Sequence, residues 1–227
     1  MPFSAQSVSK RWPDGAVGIA DLSAEFLPGT LTALVGRNGS GKTTILRLLA
    51  GLLLPDSGSI KHPPGRIGFL FQRGSLWPHL TVREQLMLAL RLVAKDPDAG
   101  AAADNTLAGM KLTAIARCYP SELSGGQQQL AEIARCLCLK PQVILLDEIA
   151  SSLDPVAQEE IYRRVDGLRE SGLTIVASTH DIPWARRASD VVIYVADGKV
   201  IRQGPPNEVM DDPADAMFSA LRTPCSR

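Results

Sequence analysis

The sequence predicts an α/β protein whose core is a parallel sheet flanked by helices. Three short apolar runs predict buried strands, and a helical pattern follows each one: 31–35 before 45–52, 143–146 before 155–169, and 173–177 before 184–188. Strands that alternate with helices favour parallel sheets, and such sheets bind ligands beyond the carboxyl ends of their strands. Functional residues are therefore expected directly after these runs.

The remaining stretches predict two additions to this core. Residues 17–26 alternate between apolar and polar side chains and predict antiparallel strands, which gives an N-terminal antiparallel β subdomain. Thr81 followed three residues later by Glu84 predicts the start of a helix in a helical subdomain over about 74–135. Residues 95–105 are rich in Ala, Asp and Gly and predict a loop or a frayed helix.

Length and composition narrow the class of protein. A chain of 227 residues fits one domain over 1–227. Its 24 basic and 24 acidic residues cancel, which disfavours a nucleic-acid binder with a basic face and a polybasic membrane-surface protein. No secretory signal and no run of about 18 apolar residues is visible, so a cytoplasmic chain is expected unless a partner holds it at a membrane. The four cysteines, Cys118, Cys136, Cys138 and Cys225, lack a C-x-x-C pair and are expected to be thiols.

The segment from Gly36 to Thr43 matches the phosphate-binding loop G-x-x-x-x-G-K-[ST] between a strand and a helix. Glycines let the backbone curl around an anion, and the helix N-terminus adds unpaired N–H groups. Lys42 is expected at the β- and γ-phosphates of a nucleoside triphosphate, and the Thr43 hydroxyl at Mg²⁺. The residues assigned to nucleotide binding here are Gly36, Asn38, Gly39, Ser40, Gly41, Lys42, Thr43 and Thr44.

Two carboxylates follow the apolar run at 143–146. Asp147 stands where a strand-end carboxylate holds Mg²⁺ in this class of fold. Glu148 is the next residue, so it is expected on the other side of the strand, where it could polarise an attacking water. A helix N-cap for Asp147 and a surface carboxylate for Glu148 are the alternatives at this point.

Residues 123–127, Leu-Ser-Gly-Gly-Gln, provide a second Gly-rich turn before a helix. This segment is the signature of ATP-binding-cassette (ABC) ATPases, and the chain resembles that family along nearly its whole length. The resemblance implies a head-to-tail dimer, in which the signature of one subunit closes on the ATP bound to the other. Its nucleotide-contacting residues would be Ser124, Gly125, Gly126 and Gln127.

The resemblance assigns further residues in the family's order. Gln72 is similar to the glutamine that senses Mg²⁺ and water, and His180 to the histidine that contacts the γ-phosphate. Asp154 lies in the segment that crosses the dimer interface, and Trp12 at the position of an aromatic ring that stacks on adenine. The implied catalytic set is Glu148, His180 and Gln72, and the implied Mg²⁺ ligands are Thr43, Gln72 and Asp147.

The chain departs from the family pattern at Leu130, where Arg is usual, and at Ile149 and Ala150, where Pro-Thr is usual. None of these positions is a ligand to ATP, so an active ATPase is expected. The departures leave open how Glu148 is oriented and how fast the turnover is.

A single cassette without a coiled-coil insertion or a fused membrane domain resembles the ATPase subunit of a bacterial importer, amino-acid uptake systems especially. The resemblance implies membrane permease subunits, a second ATPase subunit and a solute-binding protein as partners, with the chain on the cytoplasmic face of the membrane. Two alternatives stay open: a soluble ABC ATPase acting on nucleic acid or ribosomes, and an ATP-binding regulatory module that does not hydrolyse ATP. Transported solute, direction of transport, and homodimer or heterodimer are also left open.

Overall fold

The computed structural model of the chain describes residues 3–72 and 74–211. In chain order the strands are β1 (Phe3–Arg11), β2 (Val17–Phe26), β3 (Leu31–Val35), β4 (Ser57–Lys61), β5 (Ile67–Leu70), β6 (Val143–Asp147), β7 (Thr174–Thr179), β8 (Val191–Ala196) and β9 (Lys199–Gly204). The α-helices are α1 (Lys42–Leu49), α2 (Val82–Ala89), α3 (Ala99–Gly109), α4 (Gly125–Leu137), α5 (Pro155–Glu170), α6 (Ile182–Ala188) and α7 (Pro206–Met210). A π-helical turn, Leu90–Ala94, continues α2.

The chain divides into two compact units. The phosphate-loop unit is made of residues 3–62 and 174–211, and the signature unit is made of residues 63–173 with the gap noted at position 73. The phosphate loop and His180 belong to the first unit. Gln72, Asp147, Glu148, Asp154 and the signature belong to the second.

The sheet of the phosphate-loop unit has the strand order β4-β1-β2-β9-β8-β3-β7. Its central strands β3 and β7 are buried at every position, as expected for strands covered on both faces. They pair in parallel with Leu31 opposite Ile175, and β3 pairs in parallel with β8 through Thr32 and Val191. The strands β1, β2 and β4 pair antiparallel, which confirms the predicted N-terminal antiparallel region.

The signature unit combines a two-stranded parallel ladder with helices. Ile67 of β5 lies opposite Val143 of β6, and every residue of β6 is buried. Helix α4 begins at the signature, and α5 begins at Pro155. The α/β class predicted from the sequence is confirmed by these parallel ladders and helices.

The segment predicted as a loop or a frayed helix, residues 95–105, is largely part of helix α3. Ala99, Ala103 and Leu107 are each at most 2% exposed and stand four residues apart, so they form one buried face. The prediction of a loop was wrong because the polar and small residues of this stretch occupy the exposed side of a helix whose buried side is small.

Candidate active site

The phosphate loop runs from the end of β3 to the start of α1. A Cβ added at Gly36 would lie 2.1 Å from the carbonyl oxygen of Val195, so any side chain here would displace the loop from β8. Gly41 has a φ of 113°, and a Cβ there would lie 2.5 Å from the carbonyl oxygen of Gly18. The loop backbone is thus packed against neighbouring main chain at both ends, which only glycine allows.

The Lys42 side chain is held inside this loop. It is 4% exposed, and its Nζ donates to the carbonyl oxygens of Gly36 (2.9 Å) and Arg37 (3.1 Å). Residues 37–39 at the crest of the loop are exposed. The ammonium charge is therefore fixed beneath an open loop, where it can contact the phosphates of a nucleotide.

Two features of the loop show that its polar groups fit an anion. The Ser40 hydroxyl is buried and has no hydrogen-bond partner among the described residues. The N-cap of α1 is Gly41, which supplies no side-chain hydrogen bond to the first turn of the helix. Buried hydroxyls and helix N-termini normally have partners, and phosphate oxygens satisfy both kinds of group.

The other predicted residues of the phosphate-loop unit lie close to the loop in the chain or at a strand end. Thr43 is half-buried and Thr44 is buried in the first turn of α1. His180 is exposed and directly follows β7. Trp12 follows β1, is half-buried, and its backbone N–H donates to the carbonyl oxygen of Ala16 at 2.8 Å. Their contacts with a nucleotide stay predictions.

In the signature unit, the structure brings Gln72 and Glu148 together. Gln72 Nε2 donates to Glu148 Oε2 at 3.0 Å, so the two side chains are joined by a direct hydrogen bond. Asp147, the last residue of β6, is 3% exposed. Because the amide nitrogen of Gln72 points at Glu148, its amide oxygen is the end that can face a cation.

Glu148 is oriented differently from the prediction that placed it across the strand from Asp147. Strand β6 ends at Asp147, and Glu148 adopts a left-handed conformation with a φ of 49°. Strand alternation therefore stops before Glu148, and a turn sets the direction of its side chain. Ser151 holds this turn, because its backbone N–H and its Oγ both donate to the carbonyl oxygen of Glu148, at 3.1 and 2.9 Å.

The positions that depart from the family pattern after Glu148 face the interior. Ile149 is 7% exposed and Ala150 is 3% exposed. These apolar side chains anchor the turn by burial, while the Ser151 hydrogen bonds close it. The role of Ser151 in this turn was missed from the sequence, although serine is a frequent turn residue because its hydroxyl binds nearby backbone groups.

The signature residues form a closed N-cap in this structure. Ser124 Oγ accepts the Gln127 backbone N–H at 3.3 Å, and Gln127 Oε1 accepts the Ser124 backbone N–H at 3.0 Å. Ser124, Gly125 and Gln127 are exposed, and Gly126 is half-buried. Asp154 caps α5 in a similar way, since its Oδ1 accepts the N–H groups of Val156 and Ala157 at 3.0 Å each.

Cys118, Cys136 and Cys138 of the signature unit are free thiols, as predicted. Burial raises the pKa of Cys136 to about 12 and that of Cys138 to about 11. Both therefore stay protonated at neutral pH. Cys225 lies outside the described residues.

Within residues 3–72 and 74–211, no helix is long and apolar enough to cross a membrane.

The described residues contain no cluster of three or more His, Cys, Asp or Glu side chains that could hold a metal ion. The predicted metal ligands are oxygens: the Thr43 hydroxyl in the phosphate-loop unit, and the Gln72 amide and the Asp147 carboxylate in the signature unit. These hard ligands suit Mg²⁺.

A glycine-lined phosphate loop with an enclosed lysine, between a buried strand and a helix, defines a P-loop nucleotide-binding protein. The family model described as ABC transporter matches residues 19–151. The chain is 37% identical over 97% of its length to a sulfate/thiosulfate import ATP-binding protein of Gloeobacter violaceus, covering 67% of that protein. It is 38% identical over 88% of its length to a ferric-ion import ATP-binding protein of Rhizobium meliloti, covering 60% of that protein.

Solved structures agree with this assignment. The dimer of the ATP-binding cassette MJ0796 bound to ADP and phosphate matches with a TM-score of 0.79 and 29% identity, covering 90% of this chain and 98% of that one. The chain belongs to the ABC transporter family of ATP-binding proteins. It spans about two thirds or less of the length of the two import proteins it matches.

Proposed function

We propose that the chain binds and hydrolyses ATP and powers the import of a solute across a bacterial membrane. The observation that carries the proposal is the phosphate loop, where residues 36–43 bring together a buried lysine, a buried hydroxyl without a hydrogen-bond partner among the described residues, and a helix N-terminus without a side-chain cap. Membership of the ABC transporter family supports ATP as the nucleotide and transport as the use of its energy.

Each predicted site residue has its own role in the proposed hydrolysis of ATP. Lys42 neutralises charge on the β- and γ-phosphates, and Ser40 donates a hydrogen bond to a phosphate oxygen. Thr43, Gln72 and Asp147 hold Mg²⁺, which supplies further charge neutralisation when bound. Glu148 polarises the attacking water, and its bond to Gln72 orients the carboxylate.

The remaining predicted residues complete the nucleotide site. His180 contacts the γ-phosphate, and the Trp12 ring stacks on adenine. A second subunit contributes Ser124, Gly125, Gly126 and Gln127 to the nucleotide, with Asp154 beside them at the interface. The dimeric arrangement of MJ0796 with ADP and phosphate supports this head-to-tail closure.

The chain works with partners in this proposal. These are integral-membrane permease subunits, a second ATPase subunit and a solute-binding protein, with the chain bound to the cytoplasmic face of the membrane. The two import proteins described above are named for sulfate or thiosulfate and for ferric ions, so they give no support to amino acids as the cargo. The single domain over 1–227 with a helical subdomain over about 74–135 remains a prediction.

A surface of the signature unit suits a helix from the permease. Residues 72–92 contribute to a cavity of about 420 Å³ whose lining includes Trp77, Leu92 and Val93. These three side chains are 39%, 67% and 53% exposed, so an apolar surface faces solvent at the cavity. Exposed apolar surface of this kind marks a partner site, and an apolar helix face is the partner that fits.

Purification of the tagged chain from detergent-extracted membranes, with identification of bound proteins and a phosphate-release assay, tests the proposal. Co-purification of an integral-membrane permease together with ATP hydrolysis is expected. Co-purification with ribosomes or nucleic acid instead would contradict import, and a complete lack of hydrolysis by the assembled complex would contradict the ATPase function.

The partner surface has its own test. Replacing Leu76 and Trp77 together by Ser should lower transport by at least about 10-fold and lower ATP hydrolysis of the isolated subunit less, because transport loses the partner contacts as well as the contact between the Trp77 ring and Arg135. Val156→Ser, at an 82% exposed apolar residue of α5, is the matched control and should leave transport unchanged. Equal losses of transport and isolated hydrolysis would instead assign Leu76 and Trp77 to folding.

A further inference from the structure

The loop at residues 74–80 has irregular backbone that is held by side chains from two helices. Gln85 of α2 is fully buried, its Oε1 accepts the Trp77 N–H at 3.0 Å, and its Nε2 donates to the carbonyl oxygens of Trp77 and Leu80 at 3.3 Å each. A buried side chain that binds both polar groups of one residue fixes that residue's position. Gln85 thereby attaches the loop to α2.

The same loop is attached to α4 by two charged side chains. Glu132 Oε1 accepts the Ser75 backbone N–H in a short hydrogen bond. Arg135 Nη1 donates to the Ser75 carbonyl oxygen at 2.9 Å, and Arg135 Nη2 donates to Ser75 Oγ. The Arg135 guanidinium also lies over the Trp77 ring, 5.0 Å from its centre. Every polar group of Ser75 is therefore held by α4.

Glu132 is a deeply buried acidic residue of α4. It is 2% exposed, whereas the residues three and four positions away on the same side of the helix, Gln128, Gln129, Arg135 and Cys136, are half-buried. Burial raises the pKa of Glu132, which shows that its surroundings oppose the charged form. An apolar side chain of similar size would fill this position without that penalty, so the carboxyl group is explained by its hydrogen bond to the loop rather than by packing of the helix.

The loop connects two parts of the proposed ATPase machinery. It begins two residues after Gln72, whose amide binds Glu148. Helix α4, which holds the loop through Glu132 and Arg135, begins at the signature residue Ser124. A rigid attachment between loop and helix would make Gln72 follow any movement of the signature.

We propose that Glu132 is a positioning residue that fixes the loop at 74–80 to the signature helix α4, and through this loop places Gln72 against Glu148. The proposal rests on the proposed ATPase function for its consequence, but the attachment itself is a property of the isolated chain. Glu132 does not contact ATP in this account. It acts through Ser75 and the backbone that leads to Gln72.

Amide hydrogen exchange tests the attachment without any ATPase measurement. In Glu132→Ala, peptides covering 74–80 should exchange at least about 10-fold faster, because the Ser75 N–H loses its acceptor. Glu132→Gln keeps an acceptor oxygen and should stay within about 3-fold of the parent. Glu170→Ala, at an exposed glutamate on α5, is the control. Unchanged exchange at 74–80 in Glu132→Ala overturns the proposal.

Steady-state kinetics test the consequence for Gln72. Glu132→Ala should lower kcat about 10-fold while KM for ATP changes less than about 2-fold, because the phosphate loop is untouched. In a Gln72→Ala background the same substitution should lower kcat by less than about 2-fold, since the residue through which Glu132 acts has been removed. Equal losses in both backgrounds, or no rescue by Glu132→Gln, would overturn the positioning role.

The exchange measurement separates this proposal from the proposed function. A parent protein that does not hydrolyse ATP, alone or with its partners, contradicts the ATPase function, while the exchange result still decides the attachment. Should Glu132→Ala fail to fold in a thermal melt, Glu132→Leu removes the acceptor of the Ser75 N–H while it keeps most of the side-chain volume. It should lower kcat about 10-fold with unchanged KM, and an unchanged kcat would count against the proposal.

Discussion

The phosphate loop and the signature turn are both Gly-rich segments that lead into a helix, yet they differ in whether a side chain caps the N–H groups at the start of that helix. In the phosphate loop, the N-cap Gly41 supplies no side-chain hydrogen bond to α1. In the signature turn, Ser124 and Gln127 form a reciprocal capping box at the start of α4. The first helix N-terminus is arranged for an external anion, whereas the second satisfies two of its own N–H groups.

Key residues of the phosphate loop are also more deeply buried than those of the signature turn. Lys42 is 4% exposed and Ser40 is buried within the phosphate loop, while Ser124 and Gln127 of the signature are exposed. A ligand at the phosphate loop meets a preformed site. In the proposed dimer, a nucleotide that reaches the signature has to compete with a cap worth about 1 kcal/mol.

Removing the phosphate-loop cation should have the largest effect. We expect Lys42→Ala to lower ATP hydrolysis by about 100-fold or more and to weaken ATP binding, because the positive charge facing the β- and γ-phosphates is lost. Fluorescent-nucleotide titration and phosphate release are the measurements. Lys61→Ala, at an exposed lysine of β4 in the same unit, is the matched control and should behave like the parent. A Lys42→Ala protein with parental turnover would contradict the assignment of the loop.

Neutralising Glu148 should separate binding from hydrolysis. Glu148→Gln keeps the size of the side chain but removes the charge that polarises water, so turnover should fall by about 10²- to 10⁴-fold with little change in ATP binding. With ATP and Mg²⁺ the variant should elute as a dimer in size-exclusion chromatography, because closure is no longer followed by hydrolysis.

Adding Ser124→Arg to Glu148→Gln should abolish that dimer, since a large cation would fill the signature surface. Glu159→Gln, an exposed glutamate on α5, is the control for loss of a carboxylate elsewhere in the same unit. Near-parental phosphate release from Glu148→Gln would contradict its catalytic role. The left-handed turn at Glu148, with buried Ile149 and Ala150 behind it, would then be the first feature to re-examine.

The sequence alone was sufficient to predict those strands and helices whose pattern of apolar residues follows directly from burial. The strand predicted at 31–35 has the same bounds in the structure, because all five positions are buried and four of them carry apolar side chains. Residues 95–105 were predicted only as a loop or a frayed helix, because the buried face of helix α3 consists of Ala99, Ala103 and Leu107. Such a narrow face gives little periodic signal. Strand β4 was missed for a similar reason, since four of its five residues are exposed.

The features of the candidate site also differ in whether the sequence alone predicts them. Residues named by contiguous motifs, such as Lys42 and Ser124, could be found from their spacing. The hydrogen bonds that join Gln72 to Glu148 across 76 positions, and Ser75 to Glu132 across 57, could not, because they depend on how distant segments pack. The left-handed conformation of Glu148 was also invisible, since nothing in the residue type of a glutamate predicts it.

The smallest expected effect gives the sharpest comparison, because helices α2 and α4 both begin with a capping box and the backbone N–H bonds of the two boxes have nearly equal lengths. Glu84 N–H donates to Thr81 Oγ1 at 3.3 Å, as Gln127 N–H does to Ser124 Oγ, and the reciprocal bonds measure 2.9 and 3.0 Å. Ser124→Ala and Thr81→Ala should therefore each cost about 1 kcal/mol in the free energy of unfolding, measured by denaturant titration.

Only one of these two caps lies at the proposed nucleotide surface. Ser124→Ala should lower phosphate release and weaken the ATP-dependent dimer of Glu148→Gln, while Thr81→Ala should change neither beyond its effect on stability. Both variants lose the bond from a backbone N–H to the cap, and Thr81→Ala also loses the bond that its hydroxyl donates to Glu84 Oε2 at 2.8 Å. A larger loss of hydrolysis in Ser124→Ala would therefore come from what Ser124 contacts in the closed dimer. If the two variants lose hydrolysis equally, Ser124 acts as a helix cap and nothing more, and the signature would have to engage ATP through its backbone N–H groups alone.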